Sequence, residues 1–318
     1  MRALLIVNPN ATSTTPAARD LLAHALSSQV QVRVVQTTHR GHAAELARRA
    51  ALEGVGLIIV HGGDGTVNEI VNGLLGAPEP GSMRAVTIGP IPPVAVVPGG
   101  SANVFARSLG ISQDPVVATN QLIELLALRE RRSVGLGHCD GRWFTFNAGL
   151  GLDAQVCEAI DASRSNGHPA TPARYVRTAI RTFFRNKSLE PALTVEVPGH
   201  DPVDGVHYAF VSNSSPWTYL DERPVRVNPE TSFDNGLGVF AMRTTAVAPS
   251  LRVVRQLLTP GSQPKSRKLF RVDDVPKVRI RSRVPIALQM DGDYIGMRSE
   301  VEFVSVPHAL TVIAPSRA

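Results

Sequence analysis

Lysine is almost absent from this 318-residue chain: Lys187, Lys265, Lys268 and Lys277 are its only four, although Lys and Arg together number 33. No GxxxxGK(S/T) loop can be written with them, which excludes a triphosphate held in the P-loop manner. A GxGxxG sequence opening a helix is also missing, so a dinucleotide enzyme lacks its usual signature. Cys139 and Cys157 are the only cysteines, too few for a disulfide framework and outside any CxxC or Cys/His spacing, and they read as buried thiols. Without HExxH or a paired Cys/His set, zinc has no proposed ligands. No apolar run approaches the ~18 residues of a membrane helix, and only Ala3 to Val7 follows Met1-Arg2 before polar residues return. A soluble, cytoplasmic protein is expected. Its 43% hydrophobic content can bury a substantial core, and its length suggests two domains.

What is present is organised around His61 to Gly73, HGGDGTVNEIVNG. Ahead of it, Leu57 to Val60 form the continuous apolar run of a buried parallel strand; behind it, Val67, Ile70, Val71 and Leu74 recur at helical spacing. The segment reads strand, glycine turn, helix. Gly62, Gly63 and Gly65 lack a β-carbon, so the backbone there can lie directly against a ligand. Amides opening the helix attract an anion, most naturally phosphate. Asp64, in the middle of the turn, suits the Mg²⁺ that accompanies a nucleotide, directly or through water. Capping the helix is the other use of an aspartate there.

Taken in order, Ala3 to Val7 is a strand delivering Asn8-Pro9-Asn10-Ala11-Thr12 to its C-terminal end, where open parallel sheets bind ligands. Thr15 and Pro16 mark an N-cap and first helical residue of a helix to about Ser27. Val30 to Val35 is a second strand ending in Thr37-Thr38, and Ala43 to Glu53 a second helix. Gly76 to Pro93 carries only a weak strand around Val86 to Ile88. Val94 to Val97 is the next strand, Pro98-Gly99-Gly100-Ser101 a tight turn, Ala102 to Leu109 a helix, and Asp114 to Leu128 the last helix. The junctions near Asn8, Asp64 and Ser101 are expected to converge on one nucleotide site.

Beyond Arg129 short strands take over: Trp143 to Ala148, Leu193 to Val197, Tyr208 to Asn213, Gly238 to Arg243, Val278 to Arg281, Ile286 to Met290, Val301 to Val306 and Ala309 to Ile313. This spacing predicts an antiparallel β-sandwich. One amphipathic helix interrupts it, with Tyr175, Val176, Ala179, Ile180, Phe183 and Phe184 on one stripe and Arg174, Arg177, Arg181 and Arg185 on the other. From Arg252 to Arg283 ten Lys/Arg face two Asp, a local +8 in a chain whose total is +6. Such a patch suits an anionic membrane surface or nucleic acid. Equally, Lys277, Arg279, Arg281 and Arg283 fall on one side of an extended chain and read as a solvated face. Little aromatic interleaving argues against nucleic acid.

Gly62-Gly63-Asp64-Gly65-Thr66 with Asn68 and Glu69, Asn8-Pro9, Pro98-Gly99-Gly100-Ser101 with Asn103 and Phe105-Ala106-Arg107, and Asp291-Gly292-Asp293 together resemble the diacylglycerol kinase catalytic-domain family, which includes bacterial diacylglycerol kinases and sphingosine and ceramide kinases. The resemblance spans nearly the whole chain. It implies an α/β fold: a Rossmann-like, phosphofructokinase-like nucleotide domain over 1–130, rejoined by about 307–318, and a β-sandwich acceptor domain over 131–306. It also implies ATP- and Mg²⁺-dependent phosphoryl transfer to a lipid hydroxyl of the diacylglycerol or sphingoid type, at the inner face of a membrane. The nucleotide would lie between the domains, lined by Asn8, Pro9, Asn10, Ala11, Thr12, Thr38, Gly62, Gly63, Asp64, Gly65, Thr66, Glu69, Gly100, Ser101 and Asn103. Asp293 takes the position of the catalytic base, although Asp291-Gly292-Asp293 alone would read as a hairpin turn.

Three departures accompany the resemblance. Asp293 stands where the family usually has Glu, one methylene longer. Asn103-Val104-Phe105 replaces Asn-Asp-Phe, as in the sphingosine and ceramide kinase branch. In Ser232 to Leu237, Asn235 replaces an Asp that, with Leu237, would hold a structural Mg²⁺, and a neutral amide is the weaker ligand. Trp217 and Tyr219 are acceptor-side candidates on composition alone, and Trp217 equally fits core packing. A kinase of a soluble metabolite, as in NAD kinases, and a non-catalytic nucleotide or lipid binder are the competing readings. The oligomeric state is left open, a homodimer included.

Overall fold

The computed structural model describes residues 1–78, 87, 89–151, 192–220, 222–259 and 261–316. They form two compact units, one of residues 1–136, 141–143 and 306–318, the other of 137–140 and 144–305. The expected helix around Tyr175 to Phe184, the weak strand at Val86 to Ile88, and Cys157 lie outside the described residues.

In the first unit, uninterrupted apolar runs build a parallel sheet. Strands β1 (Arg2–Val7), β2 (Gln31–Gln36), β3 (Leu57–Gly62) and β4 (Val94–Pro98) lie in the order β2-β1-β3-β4. β1, β3 and β4 are buried almost throughout, as strands covered on both faces must be, and β2 is the exposed edge. The helices are α1 (Pro16–Leu26), α2 (His42–Leu52), α3 (Asp64–Leu74), α4 (Val104–Ser108) and α5 (Pro115–Leu128). Thr15 caps α1 by accepting from the Ala18 amide at 3.1 Å, and Asp114 caps α5 by accepting from those of Val116 and Val117. α2 and α3 pack backbone to backbone: a β-carbon on Gly73 would stand 2.3 Å from the Ala44 carbonyl oxygen. After β2 the chain returns to the other side of β1, so the strand order reverses there. The carboxyl ends of β1 and β3 thereby become the topological switch point at which such sheets bind ligands.

The second unit is antiparallel. The chain continues through β5 (Arg132–Cys139), β6 (Arg142–Phe144), β7 (Asn147–Leu150), β8 (Leu193–Glu196), β9 (Val203–Val206), β10 (Tyr208–Ser212), β11 (Thr218–Leu220), β12 (Arg223–Val225), β13 (Leu237–Met242), helix α6 (Val247–Leu257), β14 (Leu269–Val275), β15 (Lys277–Met290) and β16 (Asp293–Val312). Its central ladder runs β14-β13-β10-β7-β15-β16, with β8 added along the first half of β15. Val211, Val239, Leu288, Met290 and an edge-to-face pair of Phe144 and Phe303, 6.0 Å apart, fill its core.

Several elements differ from expectation for local reasons. Trp143 to Ala148 is two strands rather than one, because the amides of Thr145, Phe146 and Asn147 turn toward a buried carboxylate. Conversely, Val278 to Arg281 and Ile286 to Met290 are one strand, β15, whose register shifts around Pro285, a residue without an amide donor. β16 likewise absorbs the two expected strands on either side of Pro307. α4 is shorter than expected because Asn103 sits at φ 47°, ψ 46° ahead of it. The bland reading of the basic strand holds for β15: Arg279 pairs with Glu302 and Glu300, and Arg281 with Glu196.

Candidate active site

Two glycine turns of the first unit face each other. The Gly99 amide donates to the Gly62 carbonyl at 2.9 Å, and a β-carbon on Gly100 would stand 2.7 Å from the Gly63 α-carbon. Gly63, Gly99 and Gly100 are therefore needed for contact between the turns, and Gly62 for its approach to the Thr66 side chain. Gly65 differs. A β-carbon there would meet nothing within 4 Å, so the absence of a side chain leaves room on the outer face of the α3 N-terminus. Gly63 at the helix cap offers no side-chain acceptor.

The loop after β1 is tied into the same place. Asn8 donates its side-chain amide to Thr66 Oγ1 at 3.1 Å and accepts from the Asn10 amide, while the Ser13 amide donates to the Gly99 carbonyl at 3.0 Å. Pro9, Asn10 and Thr12 are exposed beside it, and Ala11 is half-buried. The buried His61 completes the knot. Its Nδ1 donates to the Val97 carbonyl at 3.2 Å, so Nε2 accepts from the Thr14 hydroxyl at 3.3 Å. Burial holds its pKa below the ordinary value. His61 was not among the expected site residues; its place between a strand of isoleucine and valine and a glycine pair is the only clue the sequence offers.

Asp64 is half-buried and both its oxygens are engaged: Oδ2 accepts from the Val104 amide and Oδ1 from the Phe105 amide, each at 3.0 Å. It does cap a helix, but the cap serves α4 rather than its own α3. Asn103 makes the turn beneath, accepting from the Gly100 amide at 2.9 Å and donating to the Gly100 carbonyl at 2.7 Å. Asn103, expected beside the nucleotide, thus also shapes the turn that follows β4. Glu69 likewise has a role within the protein. Its carboxylate accepts from the amides of Gly41 and Ala43 at 2.8 and 3.2 Å and so fixes the start of α2. Thr38 is exposed at the end of β2, its hydroxyl bonded with the rings of His39 and His42. Ser101 is exposed at the second turn.

In the second unit, Asp291 and Gly292 form the two-residue turn between β15 and β16, with φ of 50° and 84°. Asp291 is buried and accepts four hydrogen bonds, from the amides of Thr145, Phe146 and Asn147 and the Thr145 hydroxyl, at 2.6 to 3.2 Å. Burial pushes its pKa up while those donors pull it down. Asp293 opens β16 opposite Met290 and is half-exposed. Trp217 packs on Phe210, ring centroids 5.1 Å apart. Asn235 donates its side-chain amide to the Glu230 carbonyl, Leu237 is buried, and the loop is closed by Asp274 accepting from the Gly236 amide at 2.7 Å. That loop is held by protein groups, which adds nothing in favour of a structural Mg²⁺.

Among the described residues no three His, Cys, Asp or Glu side chains gather as a metal cage.

A parallel sheet with locked glycine turns at its switch point, followed by an antiparallel unit, suits a phosphotransferase that uses a nucleotide. Residues 2–138 match the family described as diacylglycerol kinase catalytic domain. A diacylglycerol kinase of Bacillus subtilis (strain 168) is 36% identical over 321 residues, covering 99% of this chain and 96% of that protein. One of Staphylococcus aureus is 24% identical over 87% of this chain and 80% of its own. The crystal structure of a diacylglycerol kinase from Bacillus anthracis superposes with a TM-score of 0.71 at 20% identity, covering 100% of this chain and 98% of that one, and shares the fold. The chain belongs to the diacylglycerol kinase family, and the family implies a nucleotide substrate.

Proposed function

We propose that the chain transfers the γ-phosphoryl group of ATP, in the presence of Mg²⁺, to the hydroxyl of a diacylglycerol- or sphingoid-type lipid, from the cytoplasmic side of a membrane. The observation that carries the reading is the open face at Gly65, beside an N-terminus of α3 without a side-chain cap and inside three interlocked loops. Backbone amides, rather than a lysine, then hold the phosphates. Bound Mg²⁺ would neutralise charge on the β- and γ-phosphates. Asp64, fixed by Val104 and Phe105, orients that charge from the protein side. Asp293 accepts the acceptor's hydroxyl proton as the oxygen-phosphorus bond forms and the bond to ADP breaks. Asp291 positions the turn from which Asp293 projects and takes no part in proton transfer.

The test offers labelled ATP to diacylglycerol, ceramide and a sphingoid base in mixed micelles, with NAD as a soluble acceptor. A labelled lipid is expected, and Asp64→Asn and Asp293→Asn should each lower the rate about a hundredfold or more while the chain stays folded. Labelled NAD exceeding every lipid product, or full activity in either variant, would overturn the assignment.

A further inference from the structure

Helix α6 presents two apolar stripes. Val253 and Leu257 pack in a cluster with Phe210, Phe240 and Met242. Leu251, Val254 and Leu258, three and four residues apart, form a second stripe on the adjoining face and are 62%, 46% and 52% exposed. Arg252 and Arg255 flank it, both exposed. The following loop comes alongside because Gln256 Oε1 accepts from the Lys265 amide at 2.9 Å, bringing Lys265, Arg267 and Lys268. Arg243 joins them, its amide donating to the Lys268 carbonyl at 2.8 Å.

These six cations are exposed, and none makes an ion pair among the described residues, whereas Arg279 and Arg281 on β15 are matched by glutamates. No Asp or Glu occurs from Arg243 to Val272. The basic stretch thus divides into a neutralised strand and a helix and loop whose charge faces solvent.

We propose that α6, with Arg243 and the loop of Lys265 to Lys268, is the surface by which the chain docks on an anionic bilayer. Leu251, Val254 and Leu258 enter the boundary between headgroups and acyl chains, and the cations meet anionic headgroups around them. Charge selects this occupant. A second copy docked through the same patch about a two-fold axis would set six cations against six. The biological sense of the inference rests on the lipid-acceptor reading, but its test needs no turnover.

The whole chain is sedimented with vesicles of phosphatidylcholine and phosphatidylglycerol in equal parts, and with phosphatidylcholine alone, at low and high salt. Binding should favour the anionic vesicles by about tenfold or more and weaken with salt. Leu251→Ser/Val254→Ser/Leu258→Ser and, separately, Arg252→Gln/Arg255→Gln should each lose about tenfold, with unfolding midpoints and the rate on a short-chain, water-dispersed acceptor unchanged. Variants that bind like the parent would overturn the proposal. So would a dimer in solution that the serine variant dissociates, with no vesicle binding by the parent. Variant-sensitive vesicle binding by a chain that phosphorylates no lipid would uphold the surface and remove the kinase reading alone.

Discussion

Two carboxylates, one in each unit, are gripped by backbone amides to different degrees. Asp64 accepts the Val104 and Phe105 amides, one on each oxygen, at a half-exposed position, whereas the buried Asp291 accepts three amides and a hydroxyl. Asp64 is thus partly open to solvent, whereas Asp291 is enclosed by its four donors. Of the aspartates the sequence offers as a motif, Asp291 builds the turn, and Asp293, two residues on, is the one proposed for chemistry. The same division runs through the glycines. Gly63 and Gly100 exist for each other, whereas a β-carbon on Gly65 would meet nothing.

The sharpest way to break this comparison is Asp291→Asn, which turns an NH₂ toward a nest of donors. Its unfolding free energy in urea should fall by about 3 kcal/mol, while Asp293→Asn stays within about 0.5 kcal/mol of the parent. Equal losses would erase the distinction between the two aspartates. Next come the glycines. Gly100→Ala forces a backbone clash and should cost about 2 kcal/mol. Gly65→Ala, inside α3, should leave stability unchanged or raise it by up to about 1 kcal/mol. It should nonetheless weaken ATP binding measured by titration, and an alanine variant that binds ATP like the parent would show that the open face is not the phosphate site. Removing the remote cap with Asp64→Ala should cost about 1 kcal/mol, read from the denaturation midpoint.

The smallest effect concerns pH. Burial holds His61, His138 and His207 below the ordinary 6.5, so each binds its proton more readily in the unfolded chain. Stability should be level above about pH 6.5 and decline as pH falls below it. In His61→Gln that slope should be shallower in urea titrations at successive pH values, and an unchanged slope would remove His61 from the set.

What could be read from the sequence was local. The strand and helix around Gly62 to Gly65 follow from an apolar run and its helical successor, and Thr15-Pro16 and Asp114-Pro115 are caps that any reader of the chain can place. What escaped depends on distant partners. Nothing near Asp64 says that its acceptors serve Val104 and Phe105, 40 and 41 residues on, nor does Glu69 announce Gly41 and Ala43. The break between β6 and β7 is dictated by Asp291, some 146 residues away. α6 was not expected at all: Pro249 and the β-branched valines carry little helical signal.

The last strand carries a consequence for synthesis. The tail of β16 lies in the first unit, where Val312 pairs in parallel with Val94 and Leu310, Ile313 and Ala314 are buried. A nascent chain therefore cannot finish its amino-terminal sheet when that portion leaves the ribosome. The edge of β4 stays open until residues 310–314 have been made, so a product terminated before them would lack a complete parallel sheet.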